Sequence, residues 1–245
     1  MMEKINVRGI PFDNVTKSEA LSLIVRRLDE PDRTTVVTPN AEIVQACIDD
    51  EKLMSLICSA DVILPDGTGV VKAAKILGTP LKEKVPGVEV GESLFRELAD
   101  TPHSFYILGG KPGVAEDACR KMTEKYGTKF AGCRNGYFDK SENVTDEINS
   151  SGADVLIVCL GFPAQEKWIA GNIDKLEHVT LALALGGSVD VYADRVRRAP
   201  KIFIKTGCEW LWRLIRQPSR IGRMMKLPKF YLGTKKYKKQ QKNRT

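Results

Sequence analysis

The stretch Asp61-Val62-Ile63-Leu64-Pro65-Asp66-Gly67-Thr68-Gly69-Val70 decides the fold class. Its first four residues form a short apolar run suited to a buried strand, its middle is a Gly/Pro turn, and Val70 to Leu77 carries the apolar spacing of a helix. A side chain in such a turn sits at the carboxyl end of its strand, where open α/β sheets bind their ligands. Asp66 is the carboxylate in that turn. It admits two readings, an ionisable group of a site or a cap for the helix that follows.

The same pattern recurs on either side. Thr34 to Thr38 is a β-branched run ending at Pro39-Asn40, with Asn40 placed to cap a helix over Ala41 to Ile48. If these two strands are parallel neighbours, Thr38, Asn40 and Asp66 project from one sheet edge. Further back, Ile5 to Phe12 alternates as a short strand or hairpin, and Thr16-Lys17-Ser18-Glu19 has capping-box spacing ahead of a helix reaching about Leu28. Downstream, Gly78-Thr79-Pro80 closes the helix after the Asp66 turn. Val85-Pro86-Gly87-Val88-Glu89 then reads as a Pro/Gly-rich loop able to cover the site, before a helix ending near Leu98.

Ser104 to Leu108 is the next strand, followed by Gly109-Gly110-Lys111-Pro112-Gly113 and a helix to about Tyr126. Such a turn receives phosphate through free backbone N–H groups and the helix dipole. It is not the G-x-G-x-x-G fingerprint and does not follow the first strand, which argues against a nicotinamide dehydrogenase. Lys129 to Cys133 is a further strand candidate. Tyr137, in the Gly136-Tyr137-Phe138 turn after it, reads either as a core-edge aromatic or as a ligand contact. Asp154 to Leu160 is nearly continuous apolar sequence, as in a central strand buried on both faces. It runs into Gly161-Phe162-Pro163-Ala164-Gln165-Glu166, where Pro163 suits a helix's first turn and Gln165 and Glu166 face the sheet edge. Thr180 to Leu185 is the last buried strand and ends in Gly186-Gly187-Ser188-Val189-Asp190, a small-residue turn that admits close ligand approach. The whole reads as an α/β fold with a mostly parallel sheet flanked by helices.

At 245 residues, 42% hydrophobic and with mean hydropathy −0.22, the chain suits one large domain, or a domain with an appendage. No run approaches the roughly 18 apolar residues of a membrane span, and the N-terminus lacks a signal-peptide core, so the expected address is the cytosol. Cys47, Cys58, Cys119, Cys133, Cys159 and Cys208 are scattered without a C-x-x-C pair and read as buried free thiols. His103 and His178 have no ligand cluster near them in sequence, which argues against a zinc site or a Ser-His-Asp triad.

The net charge of +7 conceals an asymmetry. Residues 195–245 hold 17 Lys/Arg against one acid, Glu209, whereas residues 1–194 hold 21 Lys/Arg against 30 Asp/Glu. The division gives a catalytic α/β domain over 1–194 and a basic helical appendage over 195–245. Arg213, Arg216, Arg220 and Arg223 share helical spacing interrupted by Pro218, and Lys235 to Arg244 reads as a disordered basic end. With Trp210 and Trp212 among arginines, the appendage fits an anionic membrane surface better than nucleic acid or packing alone, since indoles favour the interface and long basic side chains snorkel.

Taken together and in order, Thr38-Pro39-Asn40, Leu64-Pro65-Asp66-Gly67-Thr68-Gly69-Val70, Val85-Pro86-Gly87, Leu108-Gly109-Gly110, Gly136-Tyr137-Phe138, Gly161-Phe162-Pro163-Ala164-Gln165-Glu166, Gly186-Gly187-Ser188-Val189-Asp190, Arg198-Ala199-Pro200 and Glu209-Trp210-Leu211 resemble the WecG/TagA/CpsF family of bacterial glycosyltransferases. The resemblance covers nearly the whole chain. It implies a Rossmann-like domain of the GT-E type and transfer of N-acetylmannosamine, or a related sugar, from a UDP donor to a polyprenyl-diphosphate-linked acceptor at the cytoplasmic membrane face. In the teichoic-acid members the acceptor is undecaprenyl-diphosphate-linked GlcNAc and the new bond is β-1,4. It further implies Asp66 as base, Thr38, Asn40 and Gln165 as substrate contacts, and Tyr137 and Asp190 at the nucleotide, where the glycine turns at Gly109, Gly110 and Gly187 are the expected backbone contacts. Arg213, Arg220 and Arg223 are the matching appendage arginines. Glu89 departs from the pattern, since many members carry Asp there.

The chemistry agrees with those residue types. A sugar hydroxyl is too weak an acid to attack an anomeric carbon unaided, so a carboxylate within reach must take its proton. One base and one hydroxyl imply a single displacement with inversion; covalent catalysis by Asp66 is the alternative mechanism. The chain has no D-x-D motif to hold a metal on the departing diphosphate, so arginines and glycine-turn N–H groups are the expected counter-charges and no cofactor or metal is expected. The rival function is a non-catalytic nucleotide-binding module that docks on membrane or nucleic acid. A homo-oligomer stays open.

Overall fold

The computed structural model describes residues 3–139, 142–196, 200, 203, 209–216, 222 and 226–243, with only the backbone described at 209, 210, 213, 216 and 242. It opens with an antiparallel hairpin, β1 (Lys4–Val7) and β2 (Ile10–Asp13), followed by α1 (Lys17–Arg27). Thr16 caps α1 as its spacing predicts: its hydroxyl accepts from the Glu19 N–H, and the Glu19 carboxylate accepts from the Thr16 N–H. Next come β3 (Thr34–Val37), α2 (Ala41–Asp49), α3 (Glu51–Cys58), β4 (Val62–Ile63), α4 (Thr68–Leu77), α5 (Gly87–Glu97) and β5 (Phe105–Gly109). Then follow α6 (Val114–Tyr126), β6 (Phe130–Arg134), α7 (Val144–Ser151), β7 (Val155–Cys159), α8 (Ala164–Asn172), β8 (Leu181–Ala184) and α9 (Ser188–Tyr192). Two helices described in the basic stretch are α10 (Glu209–Arg216) and α11 (Lys226–Lys242).

Six strands form one parallel sheet in the order β4-β3-β8-β7-β5-β6. Pairing of Val36 with Val62 and Val37 with Ile63 makes β3 and β4 parallel neighbours, the condition for Thr38, Asn40 and Asp66 to share an edge. β8, the last strand in the chain, inserts between β3 and β7. Because strand side chains alternate, Val155, Ile157 and Leu183 pack under α1, α5, α6 and α9, while Leu156, Val158 and Ala184 pack under α2, α4, α8 and the hairpin. The sheet is thus covered on both faces, a doubly wound, Rossmann-like arrangement, and β5 and β7 are buried along their full length.

Two segments differ from their sequence reading. Val85 to Glu89 is no covering loop: Pro86 stands just before α5 and Gly87 opens it. Tertiary contact fixes this, because the Val85 N–H donates to the Pro65 carbonyl at 2.8 Å and Glu89 pairs with Lys17 at 2.7 Å. The second segment is Lys235 onward, where α11 continues to Lys242 in place of a disordered end. Phe230 and Thr234, one turn apart, are wholly buried, and the Arg8 guanidinium lies 5.1 Å from the centre of the Tyr237 ring. These anchors hold a lysine-rich sequence helical that would not be so alone. No helix among the described residues is long and apolar enough to cross a membrane.

Candidate active site

All six strands point the same way, so the turns that follow them share one edge. Along that edge stand Asp66 after β4, Thr38 and Asn40 after β3, Gly187 and Asp190 after β8, Gln165 after β7, Gly109 and Gly110 at the end of β5, and Tyr137 after β6. Neighbouring strands are about 4.8 Å apart, so Asp66 and Tyr137, on the outermost strands, are separated by about 24 Å at strand level. Asp66, Thr38, Asn40 and Gln165 occupy the β4-β3-β8-β7 half.

The Asp66 turn is held from two sides. Its N–H donates to the Pro39 carbonyl at 3.3 Å, and Leu64 N–H donates to the Val37 carbonyl at 2.9 Å, which ties it to the β3 turn. On the other side the Val85 contact ties it to α5. The cap position of α4 belongs to Gly67, one residue after Asp66. Asp66 is half-buried.

Thr38 is wedged between strand and helix. Its hydroxyl is 3.4 Å from the Ala184 carbonyl, and a Cβ on Gly87 would come within 2.8 Å of its Oγ1, so only glycine opens α5 this close to β3. Asn40 caps α2, its Oδ1 accepting from the N–H groups of Glu42 and Ile43 at 2.9 and 3.1 Å. That leaves its NH2 as the group with hydrogen bonds to spare.

Gln165 is 4% exposed and works as a clamp. Its Oε1 accepts from the Gly161 N–H at 3.2 Å and from the Gly186 N–H at 2.9 Å, joining the turns after β7 and β8. Its Nε2 donates to Glu166 Oε1 at 2.9 Å. Glu166 is equally buried, and its Oε2 has no hydrogen-bond partner. Burial pushes the Glu166 carboxyl above the usual carboxylate range, against a smaller opposite pull from Gln165. The sequence marks Glu166 only by its adjacency to Gln165 in the first turn of α8.

The other half of the edge is more open. Gly109 has φ 137°, and a Cβ there would lie 2.4 Å from the Cys159 carbonyl carbon and oxygen, so the close approach of β5 to β7 requires glycine. Tyr137 is 71% exposed, which sets aside its core-edge reading. Asp190 lies in the first turn of α9, and its carbonyl accepts from the N–H groups of Arg195 and Val196. Arg213 lies in α10 with its side chain outside the described residues, and Arg220 and Arg223 lie outside them altogether. Among the described residues no group of three His, Cys, Asp or Glu is placed to hold a metal ion.

A parallel sheet with its polar residues gathered at one edge suits many chemistries, so comparison with known proteins decides among them. The profile of the Glycosyl transferase WecG/TagA/CpsF family matches residues 5–244. The chain belongs to the WecG/TagA/CpsF family. As a member it is a glycosyltransferase, and the edge just described is its candidate active site. Among its relatives, the N-acetylglucosaminyldiphosphoundecaprenol N-acetyl-beta-D-mannosaminyltransferase of Bacillus spizizenii is 32% identical over 216 residues, covering 86% of this chain and 82% of that protein. A protein of the same name from Staphylococcus aureus strain MW2 is 32% identical over 239 residues, covering 96% of this chain and 94% of that protein.

Proposed function

We propose that this glycosyltransferase moves N-acetylmannosamine from a UDP donor to undecaprenyl-diphosphate-linked GlcNAc in teichoic acid synthesis, forming a β-1,4 bond with inversion at the cytoplasmic membrane face. The observation that carries this reading is the placing of Asp66, Thr38 and Asn40 on adjacent parallel strands, next to the turns that Gln165 clamps. The relatives' names supply the sugar and the acceptor.

In this reading the acceptor sugar lies at the β4-β3 end and the nucleotide lies across Gly187, Asp190, Gly109, Gly110 and Tyr137. Asp66 accepts the proton of the acceptor hydroxyl as its oxygen bonds to the anomeric carbon, while the bond from that carbon to the donor phosphate breaks and UDP departs. Thr38 and Asn40 orient the sugars through hydroxyl and amide hydrogen bonds. Gln165 acts through the glycine turns that it holds in place. Arg213, Arg220 and Arg223 are assigned to the charge developing on the diphosphate, a task that guanidinium forks suit and that needs no metal.

Asp66→Asn tests this directly. The variant should lose at least about a hundredfold in turnover, the scale of a missing general base, with UDP binding unchanged by calorimetry. Near-normal turnover in the purified variant would remove Asp66 from the role.

A further inference from the structure

Beside the Asp66 turn lies a cleft that no part of the proposed transfer has used. α4 starts two residues after Asp66 and presents Lys72, Lys75 and Ile76 along one flank, at the three- and four-residue spacings that share a helix face. α11 lays Tyr231 and Lys235, one turn apart, alongside them. These five residues line a cleft of about 460 Å³, a volume typical of small-molecule sites.

Tyr231 carries the cleft's lining to the first turn of α4. A Cβ on Gly69 would stand 2.7 Å from the Ala41 Cβ and 3.6 Å from the Tyr231 hydroxyl, so that hydroxyl sits beside the first turn of α4. Lys72 and Lys75 lie about 6 and 10 Å along the helix axis from Thr68. A sugar ring followed by a diphosphate covers that span when its hydroxyl is at Asp66.

Charge gives the chemical class. Among the described residues none of Lys72, Lys75 and Lys235 forms an ion pair, whereas Lys229, on the same helix as Lys235, is paired with Asp49 at 2.8 Å. Three lysines share the cleft with Ile76 and Tyr231, and a cleft lined by one sign of charge concentrates anions. The Tyr231 hydroxyl has no hydrogen-bond partner among the described residues, and burial raises its pKa, so at neutral pH it is a donor. Leu232, 68% exposed, adds apolar surface to α11 beside the basic row.

Resting on the transfer reading above, we propose that this cleft binds the diphosphate of the prenyl-linked acceptor, with Lys72, Lys75 and Lys235 as its counter-charges and Tyr231 as a hydrogen-bond donor. A phospholipid of the bilayer is the rival source of the same phosphate chemistry. The position of the cleft, on the helix that starts at the Asp66 turn, favours the acceptor.

The test uses the full chain, farnesyl diphosphate as probe in detergent without vesicles, and the triple variant Lys72→Gln, Lys75→Gln, Lys235→Gln. All three side chains are exposed, so the fold does not depend on them. The dissociation constant for farnesyl diphosphate should rise about thirtyfold, from three exposed charge contacts, with UDP binding unchanged. Tyr231→Phe should weaken the same probe several-fold. Equal binding by parent and triple variant overturns the proposal. So does a variant that loses only adhesion to phosphatidylglycerol vesicles while farnesyl diphosphate binding is kept, since the cleft is then a phospholipid site. If the parent transfers no sugar from any UDP-sugar yet shows the thirtyfold difference, the transfer reading falls and the prenyl diphosphate site stands.

Discussion

Gln165→Leu probes the clamp that joins two turns of the sheet edge. Leucine keeps similar bulk but accepts no hydrogen bond, so the N–H groups of Gly161 and Gly186 both lose their acceptor and buried Glu166 loses its donor. Two neutral bonds at about 1 kcal/mol each, and one to an ionisable group at about 2 kcal/mol, sum to about 4 kcal/mol. In a chain of this length that lowers Tm by about 10 °C, which differential scanning calorimetry reads directly. The turns after β7 and β8 also lose their common register, so donor KM should rise while the far-ultraviolet circular dichroism at 20 °C stays that of the parent. A Tm within about 2 °C of the parent would mean that the glycine turns hold without the amide, and the account of Gln165 as a clamp would be refuted.

Glu166→Gln replaces a buried carboxyl whose pKa is raised by burial. A raised carboxyl pKa makes the parent most stable when that group is protonated and costs stability as pH rises through the folded value, so the variant should be more stable than the parent at pH 8 and lose that advantage toward pH 4 in parallel thermal melts. Phe230→Ala, which empties a wholly buried position beneath α11, should cost about 3–5 kcal/mol in urea unfolding. Dialysis against EDTA should leave transfer nearly unchanged; strong inhibition reversed by Mg²⁺ or Mn²⁺ would give a metal the role assigned to the arginines.

What the sequence made legible was local. Thr16 and Glu19 announce their capping box because the interaction spans three residues, and Val155 to Cys159 announces a central strand because burial on both faces leaves one composition. The recurring strand, Gly turn and helix likewise placed Asp66, Thr38, Asn40 and Gln165 at one edge. Illegible were the features that depend on partners distant in the chain. Gly87 opens a helix because Thr38 and Leu185 press against it, and nothing between residues 80 and 90 records that contact. Gln165 gives no sign in its own motif that Gly186, 21 residues on, uses its side-chain carbonyl. Lys235 to Lys242 has the composition of a solvated tail, and only Arg8 and the core beneath Phe230 explain why it is a helix.

The place of β8 has a consequence for how the molecule is made. The third position of the sheet is filled by residues 181–184, so all five other strands of that sheet are synthesised before β3 and β7 acquire the strand that joins them. Until then the nascent protein is two open-edged fragments, β4-β3 and β7-β5-β6, each with unpaired backbone groups on the side that will meet β8. The candidate active site draws on turns of both fragments, so it is incomplete on an unfinished chain. The site is therefore completed only when β8 pairs with both fragments.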